Sequence, residues 1–279
     1  MGCLSQFQLK KKDISKIREK VWSDFCFRYC TVETLTEKYN KSEKWIRNQL
    51  ENYVVPEKMF TPRRMVAVMD ATKVGKEWVF VARDPHKKEN VYSKVVQCES
   101  TYCYQLAMED LKERRFDVEA IVGDGKIAVS WLFKGLPVQM CHFHMKQIII
   151  RCITHNPILP AGIELLEIIN TLTYSTEAEF TLLYTNWCKK WDEFLKEKSI
   201  NPKTGRPVPT HRKLISARGS IKRHLPFLFT FEKYPHLNIP NTTNSLDGSF
   251  KKLKTSIAVH SGLSRDRKLK MIKTLLNGK

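Results

Sequence analysis

The sequence predicts a mixed α/β protein whose sheet is preceded and followed by helices. Two observations carry this. From residue 64 to residue 140, short apolar segments rich in β-branched residues alternate with turns and amphipathic stretches. Residues 10–53 and 143–200 instead repeat their apolar side chains at helical spacing. The 279 residues are 42% hydrophobic, enough to build a sizeable core in one large domain or two smaller ones.

The N-terminal block reads as three helices. Ile14, Ile17, Val21 and Phe25 line the first, after Lys10-Lys11-Lys12. The second starts after Thr31 and turns Val32, Leu35 and Tyr39 inward. Tyr39-Asn40-Lys41 is the turn, and Ser42 is placed to cap a third helix, Glu43 to Asn52. That helix buries Ile46 and Leu50 and leaves Lys44, Arg47 and Asn48 outward. A short polar turn, then a capped helix with basic and amide residues near its start, is the pattern of a helix-turn-helix DNA-binding domain, here residues 13–53. Three helices packed for structure alone would share most of these features.

Residues 54–63 form a linker with Pro56 and Pro62. Met65 to Met69, Trp78 to Ala82 and Val91 to Cys98 then read as strands. Val74-Gly75-Lys76 and Asp84-Pro85-His86-Lys87-Lys88 are the hairpin turns between them. An amphipathic helix, Tyr102 to Arg115, leads to a strand from Val118 to Val122. A short helix around Ala128 to Phe133 precedes a brief strand, Pro137 to Met140. The order β-β-β-α-β-α-β describes a mixed sheet opened by a three-strand meander and completed by crossovers. Beyond it, Met145, Ile148, Ile149, Cys152 and Ile153 share one helical face, and Phe180, Leu183, Trp187 and Trp191 another. A stretch rich in Pro and Lys/Arg, Asn201 to His211, and a basic segment, Arg212 to His224, lead to Pro240.

The net charge of +19 favours a polyanionic partner, because neutralising phosphates releases counterions. A solvated basic surface is the bland alternative. The eight cysteines sit mostly in apolar or helical stretches, as free thiols of a reducing cytoplasm do. No signal peptide is visible, and no apolar run is long enough to span a membrane, so no membrane partner is expected.

Three acids stand out by position. Asp70 ends the apolar run Met65-Val66-Ala67-Val68-Met69, and Asp124 ends Ile121-Val122-Gly123. Asp247 lies in a predicted helix with an apolar stripe of Leu246, Phe250, Leu253 and Ile257. Asn244, Asp247 and Lys251 share the neighbouring stripe, and Gly248 leaves room for a close backbone. A central first strand with a parallel neighbour would bring Asp70 and Asp124 together. With Asp247 they could hold two divalent cations, and paired cations of that kind catalyse in-line displacement at phosphorus. Oxygen donors suit Mg²⁺. Taken singly, each acid could equally be a turn, cap or surface residue.

Cys141 and His144 have half the spacing of a zinc site. No second pair is evident beyond His142 and His155, so zinc is not expected. Hydrogen bonds bracing the strand end near Asp124 fit better. Trp187 and Trp191, one helical turn apart, read as core or as a base-stacking platform. From Lys251 to Lys279 there are nine lysines and arginines against one acid, Asp266. Lys251, Lys252 and Lys254 are therefore candidate backbone contacts.

Met69-Asp70-Ala71-Thr72, Gly123-Asp124-Gly125, Cys141-His142-Phe143-His144 and Pro240 through Asn244 and Asp247 to Lys254 together carry a resemblance. Val259-His260-Ser261-Gly262-Leu263-Ser264 adds to it. The chain, from about residue 10 onward, resembles a bacterial insertion-sequence transposase of the Mutator-type DDE superfamily, for which Cys-x-x-His between the second and third acids is a mark. The resemblance implies an RNase H-like catalytic domain over 64–279, with an α-helical insertion at about 145–239. It implies Asp70, Asp124 and Asp247 as catalytic residues holding two Mg²⁺ (or Mn²⁺) ions, supported by Asn244, Cys141 and His144. It further implies cleavage at element ends and 3′-hydroxyl transfer into target DNA. The partners would be double-stranded terminal inverted repeats and target DNA, and a homodimer or larger assembly in the synaptic complex. The setting would be the bacterial nucleoid in the cytoplasm.

Two departures stand out. The family's third acid is normally Glu in an Asn-x-x-Glu pattern, and Asp247 is one methylene shorter, which would impair metal binding unless its helix shifts. Relatives often open with a zinc ribbon of paired Cys-x-x-Cys, and residues 1–12 keep only Cys3 with Phe7 behind it. That is the expectation for a truncated or decayed copy, or for a start downstream of the ribbon. A catalytically inactive DNA-binding derivative and a structure-specific RNase H-like nuclease are the competing readings.

Overall fold

The chain's computed structural model describes residues 11–260 and 262–278. They fall into two compact units. One gathers the described residues of Met1–Thr61, Thr72–Glu77 and Asp247–Lys279; the other is Pro62–Ala71 with Trp78–Leu246. The expected ribbon remnant, with Cys3 and Phe7, lies outside the described residues, save that Lys11 and Lys12 open the first helix.

The first unit begins with α1 (Lys11–Phe27), α2 (Val32–Tyr39) and α3 (Glu43–Glu51). The short polar residues before α2 and α3 act as caps: the side chain of Thr31 accepts from Thr34 N–H and that of Ser42 from Trp45 N–H. Asn40 turns the chain between them at φ 47°, a left-handed conformation that Asn tolerates. Val21, Trp22, Phe25, Leu35, Ile46 and Leu50 are buried at the centre. Tyr39 is half-buried, and its hydroxyl donates to the buried Asp24 carboxylate at 2.8 Å, beside Lys38 Nζ at 2.5 Å. Burial would push Asp24 up, but the hydrogen bonds from Lys38 and Tyr39 outweigh it and hold the carboxyl below its usual value.

Two C-terminal helices, α12 (Asn244–Val259, from Asp247 on) and α13 (Arg265–Asn277), belong to the same unit. Trp22 Nε1 donates to Thr274 Oγ1 at 2.9 Å, His260 Nε2 donates to the Phe25 carbonyl at 2.9 Å, and Arg267 pairs with Glu51 at 2.9 Å. These bonds join residues more than two hundred positions apart. Residues 64–279, expected as one catalytic domain, therefore divide, with the last helices clustering on the N-terminal ones.

The second unit is built on a five-stranded mixed sheet in the order β3-β2-β1-β4-β5. Its strands are β1 (Arg64–Val74), β2 (Glu77–Asp84), β3 (Glu89–Val96), β4 (Asp117–Gly123) and β5 (Val138–Met140). The tip of the β1–β2 hairpin, residues 72–77, belongs to the first unit. β1 is central and buried from Met65 to Asp70, as a strand covered on both faces should be. Asp84 sets the next turn: its side chain accepts from His86 N–H and Lys87 N–H, both at 3.0 Å. The crossover helix α4 (Thr101–Glu113) buries Tyr104, Ala107 and Leu111, with the Tyr104 ring edge-on to Phe80. The short α5 (Ile127–Leu132) joins β4 to β5.

From residue 142 the chain is largely helical: α6 (His142–Ile153), α7 (Pro160–Thr171), α8 (Glu177–Lys190), α9 (Asp192–Lys196), α10 (Arg212–Leu228) and α11 (Thr230–Lys233). Met145, Ile149, Leu165, Phe180, Trp187 and Ile221 are among its core residues. Phe180, Tyr184 and Trp187 form the buried face of α8, whereas Leu183, expected on that face, is 41% exposed. The stretch from Asn201 to His211, which the sequence marks only by its Pro and Lys/Arg content, lies largely within a hairpin and its foot. The hairpin pairs β6 (Lys198–Ile200), just before the stretch, with β7 (Pro207–Pro209) inside it.

One buried amide ties the helices to the sheet. Gln139, on β5, donates from Nε2 to the carbonyls of Met140 (2.6 Å) and Leu228 (2.7 Å), and its Oε1 accepts from Phe231 N–H at 3.1 Å. Gln139→Leu keeps the volume and orphans a buried carbonyl and N–H, each at about 1–3 kcal/mol. Urea denaturation should show a loss on the order of 2–4 kcal/mol, and an unchanged midpoint would refute this assignment.

A candidate carboxylate site at the end of the central strands

The parallel pairing of β1 and β4 sets the site. Its last pairs are Ala67↔Ile121 and Val68↔Val122. Two residues beyond the last pair stand Asp70, still within β1, and Asp124, just past the end of β4, near enough for the Asp124 charge to act on Asp70. β1 itself does not stop at Asp70, contrary to expectation. It runs on to Val74 because its hairpin with β2 outlasts the parallel ladder. Asp70 is thus a buried in-strand residue beside the end of β4.

Other side chains crowd this pair. Tyr104, fully buried on α4, has its hydroxyl 3.2 Å from both Asp124 Oδ1 and Glu99 Oε1, so one O–H is shared between two carboxylates. Lys126 Nζ lies 2.6 Å from Asp124 Oδ2 and 2.9 Å from Glu99 Oε1. The Lys126 N–H also donates to Asp124 Oδ1 at 3.2 Å. Glycines make the approach passable. A Cβ on Gly123 would sit 3.2 Å from the Tyr104 hydroxyl. Gly125 has φ +89°, and a side chain there would meet Met140.

On the other flank, Cys141 caps α6. Its N–H donates to the Gly123 carbonyl at 2.9 Å, and its sulfur accepts from Thr243 N–H at 3.3 Å. One turn on, His144 Nε2 is 3.9 Å from Asp70 Oδ2. The expected Cys141–His144 brace at the strand end is therefore present in part: Cys141 holds β4 and His144 faces Asp70. His142, by contrast, is a core residue with Nε2 donating to the Leu228 carbonyl at 2.6 Å, and His155 is exposed.

The charges follow from this crowding. Burial pushes Asp70 up to about 7; the His144 charge opposes the rise, and those of Glu99 and Asp124 add to it. Burial also raises Glu99, with Asp124 beside it. Asp124 resists the same burial because the Lys126 ammonium hydrogen-bonds to it, and its carboxyl stays below the usual range. For His144 burial works against the charge, but Cys141 and Asp70 prevail and lift it to about 9. The Cys141 thiol, raised by burial, is pulled below its usual value by His144 and Thr243.

The remaining sequence-predicted residues lie elsewhere. Asp247 is an exposed residue in the first turn of α12 and belongs to the other unit, whereas Asn244 is the exposed start of that helix. The expected apolar stripe is buried at Leu246, Phe250, Leu253 and Ile257. The space beside Gly248 is open, with nothing within 4 Å of where a side chain would begin, so no close backbone accounts for that glycine. Lys44, Arg47 and Asn48 are exposed on α3, though Arg47 is paired with Glu43 at 2.5 Å. Lys251, Lys252 and Lys254 are exposed on α12, with Lys252 over the Phe27 ring. Trp187 corrects the stacking expectation. Its ring is 2% exposed, packed in the helical core with Nε1 donating to the Ala161 carbonyl, so it offers no face to a base. Trp191 is half-buried and donates to Glu164 Oε2 at 2.8 Å.

Glu99, Tyr104 and Lys126 escape sequence reasoning. Lys126 carries a faint signal, two residues beyond Asp124 in a Gly-Asp-Gly-Lys turn. Glu99 has none, being one acid among many until α4 returns the chain to β4. Among the described residues no three His, Cys, Asp or Glu side chains gather as a ready metal cage. The chemistry of the pair nevertheless suits a hard cation: both are oxygen donors, and Asp70 is a buried carboxylate whose ionised form lacks an ammonium partner.

No protein-family model matches the chain, and no curated protein matches it.

Asp70 leads to a pH prediction. An acid whose pKa is raised by folding keeps a proton that the unfolded chain releases, so its contribution to stability falls as pH rises from about 4 to about 7. In EDTA, thermal melts of Asp70→Asn should lack that part of the decline and lie above the parent at neutral pH. Parallel melting curves across this window would refute the raised value.

Proposed function

We propose that the chain is a DNA transposase of an insertion sequence, with an RNase H-like catalytic core and a helix-turn-helix domain in residues 13–53. The observation that carries this reading is the pair Asp70 and Asp124, two residues beyond the last paired positions of adjacent parallel central strands. Asp70 and Asp124 are the residues that would hold Mg²⁺ or Mn²⁺, and the resemblance to the Mutator-type DDE superfamily implies Asp247 as the third acid. Bound there, the ions supply the Lewis acidity for in-line displacement at a phosphodiester.

The chain's own residues have definable parts in this reading. Lys126 holds Asp124 ionised and must yield one carboxylate oxygen when a cation arrives. His144 opposes the burial that would protonate Asp70. Tyr104 fixes the rotamer of Asp124. On the DNA side, Lys44 and Asn48 on α3 and Lys251, Lys252 and Lys254 on α12 are exposed, and Arg47 is available once it leaves Glu43. The substrates are the element's terminal inverted repeats and target duplex, brought together by at least two copies of the chain. No helix among the described residues is long and apolar enough to cross a membrane.

Lys126 also favours a second reading. Its ammonium already lies against Asp124 and Glu99, and the third acid is the shorter Asp247. Both fit a DNA-binding derivative that has lost cleavage.

A strand-transfer assay separates the two readings. Purified protein is incubated with Mn²⁺ and duplexes made from the DNA flanking its reading frame, beside Asp124→Ala. Joined products that fall at least a hundredfold in the variant, about 2.7 kcal/mol at the transition state, support the transposase. Nicks without joining indicate a nuclease, and binding without cleavage indicates the inactive derivative.

A further inference from the structure

The β6–β7 hairpin stands apart from the residues placed in the candidate site. Of residues 198–209 only Asn201 and Val208 are even half-buried, and Ile200 is 66% exposed. A segment with no core of its own is ordinarily floppy, yet this one is braced at both ends. At the tip, the Asn201 carbonyl accepts from Thr204 N–H (3.2 Å) and Gly205 N–H (2.8 Å), and its side chain accepts from Lys203 N–H (2.9 Å). Gly205 takes the left-handed φ of +64° that closes the loop. At the foot, Thr210 N–H donates to the Glu197 carbonyl at 2.9 Å, and the His211 ring stacks on Phe194 while its Nε2 meets Glu197 Oε2 at 2.9 Å.

Charge gives the arm its character. From Lys198 to Lys213 there are five cations, Lys198, Lys203, Arg206, Arg212 and Lys213, and no acid. All five are exposed, and none takes part in an ion pair or a side-chain hydrogen bond among the described residues. Three neighbouring exposed lysines do find partners, Lys190 with Glu164, Lys196 with Asp192 and Glu193, and Lys233 with Glu177, whereas others of the unit such as Lys94, Lys112 and Lys134 stand singly without one among the described residues. The arm is thus a rigid ribbon whose cations are left unneutralised. It does not invite another strand, because Pro207 and Pro209 leave β7 without two of its N–H groups.

We propose that this hairpin is a second DNA-contacting element, a β-ribbon arm laid along duplex DNA. Lys203 and Arg206 at the tip reach phosphates, and Ile200 offers an apolar contact to the groove. A two-stranded ribbon is of the size that a major groove about 12 Å wide admits. Bracing the tip in advance lowers the entropy cost of engaging its lysine and arginine. The proposal rests on the nucleic-acid reading of the chain but not on catalysis.

The test is fluorescence anisotropy with a labelled random-sequence duplex over a range of salt concentrations. Lys203→Ala/Arg206→Ala should weaken binding on the order of tenfold and reduce the log–log salt slope by about 2, roughly one unit for each phosphate no longer neutralised. Arg212→Ala/Lys213→Ala, at the foot, should lower the slope in the same direction. Lys190→Ala/Lys233→Ala removes the same charge from paired positions and should leave the slope unchanged. Far-UV circular dichroism checks that each variant is folded. Parent-like affinity and slope in both arm variants would overturn the arm while leaving DNA binding intact. An equal fall in the paired-lysine control would overturn it in favour of bulk charge. No binding of the parent protein to duplex would overturn both the arm and the nucleic-acid reading on which it rests.

Discussion

The register between β1 and β4 is the constraint on which the candidate site depends. With Val68 opposite Val122, Asp70 and Asp124 each follow two residues beyond the ladder. A slip of one residue would turn one carboxylate to the other side of the sheet. The apolar faces of both strands oppose such a slip, since Met65 to Met69 and Ala120 to Val122 are buried. The same burial that fixes the register takes two carboxylates out of water. The surrounding side chains can be understood as answers to that cost.

The answers are unequal. Asp124 has an ammonium at 2.6 Å, a backbone N–H and a phenol, and stays ionised. Asp70 has one backbone N–H, from Ala71 at 2.8 Å, and an imidazole at 3.9 Å, which do not offset its desolvation. Neighbouring acids driven to opposite protonation preferences are a recurrent feature of catalytic sites, although structural networks also produce them. The asymmetry makes Asp70 the member with most to gain from a cation. Cys141 and His144 tie α6 to this arrangement. The backbone of Cys141 fastens the end of β4 and its sulfur takes the Thr243 N–H, so the strand end, α6 and the approach to α12 share one small set of polar bonds.

What was legible in the sequence follows from the range of the forces involved. Turn chemistry and period-two patterning are local, so the order β-β-β-α-β-α-β and the capped helices α2 and α3 could be read directly. The continuation of β1 past Asp70 could not, because it depends on which partner strand lasts longer. Leu183 and Trp187 share helical spacing with Phe180, yet only Trp187 is buried, since Tyr184 takes the place that periodicity assigned to Leu183. The clustering of α12 and α13 with the N-terminal helices rests on bonds such as Trp22 to Thr274, which no window of sequence contains. Glu99 was invisible for a related reason: its importance arises only after α4 carries the chain from the sheet edge back to β4.

The net charge of +19 acquires a distribution in the structure. Some cations are spent on the fold: Lys38 on Asp24, Arg63 on Asp84 and Glu89, Arg267 on Glu51. Others relieve buried acids, as Lys126 does. A third group has no ion-pair partner among the described residues: Lys44 on α3, Lys251 and Lys254 on α12 and the five cations from Lys198 to Lys213, with others such as Lys94, Lys112 and Lys134 spread over the surface. The stretch from Lys198 to Lys213 differs from the rest in density, with five cations and no acid. Repulsion among like charges on a short ribbon disfavours the folded hairpin, and it is lifted when a polyanion is present. No internal acid offsets that repulsion among the described residues, so the order of the hairpin rests on the backbone bonds at its tip and foot.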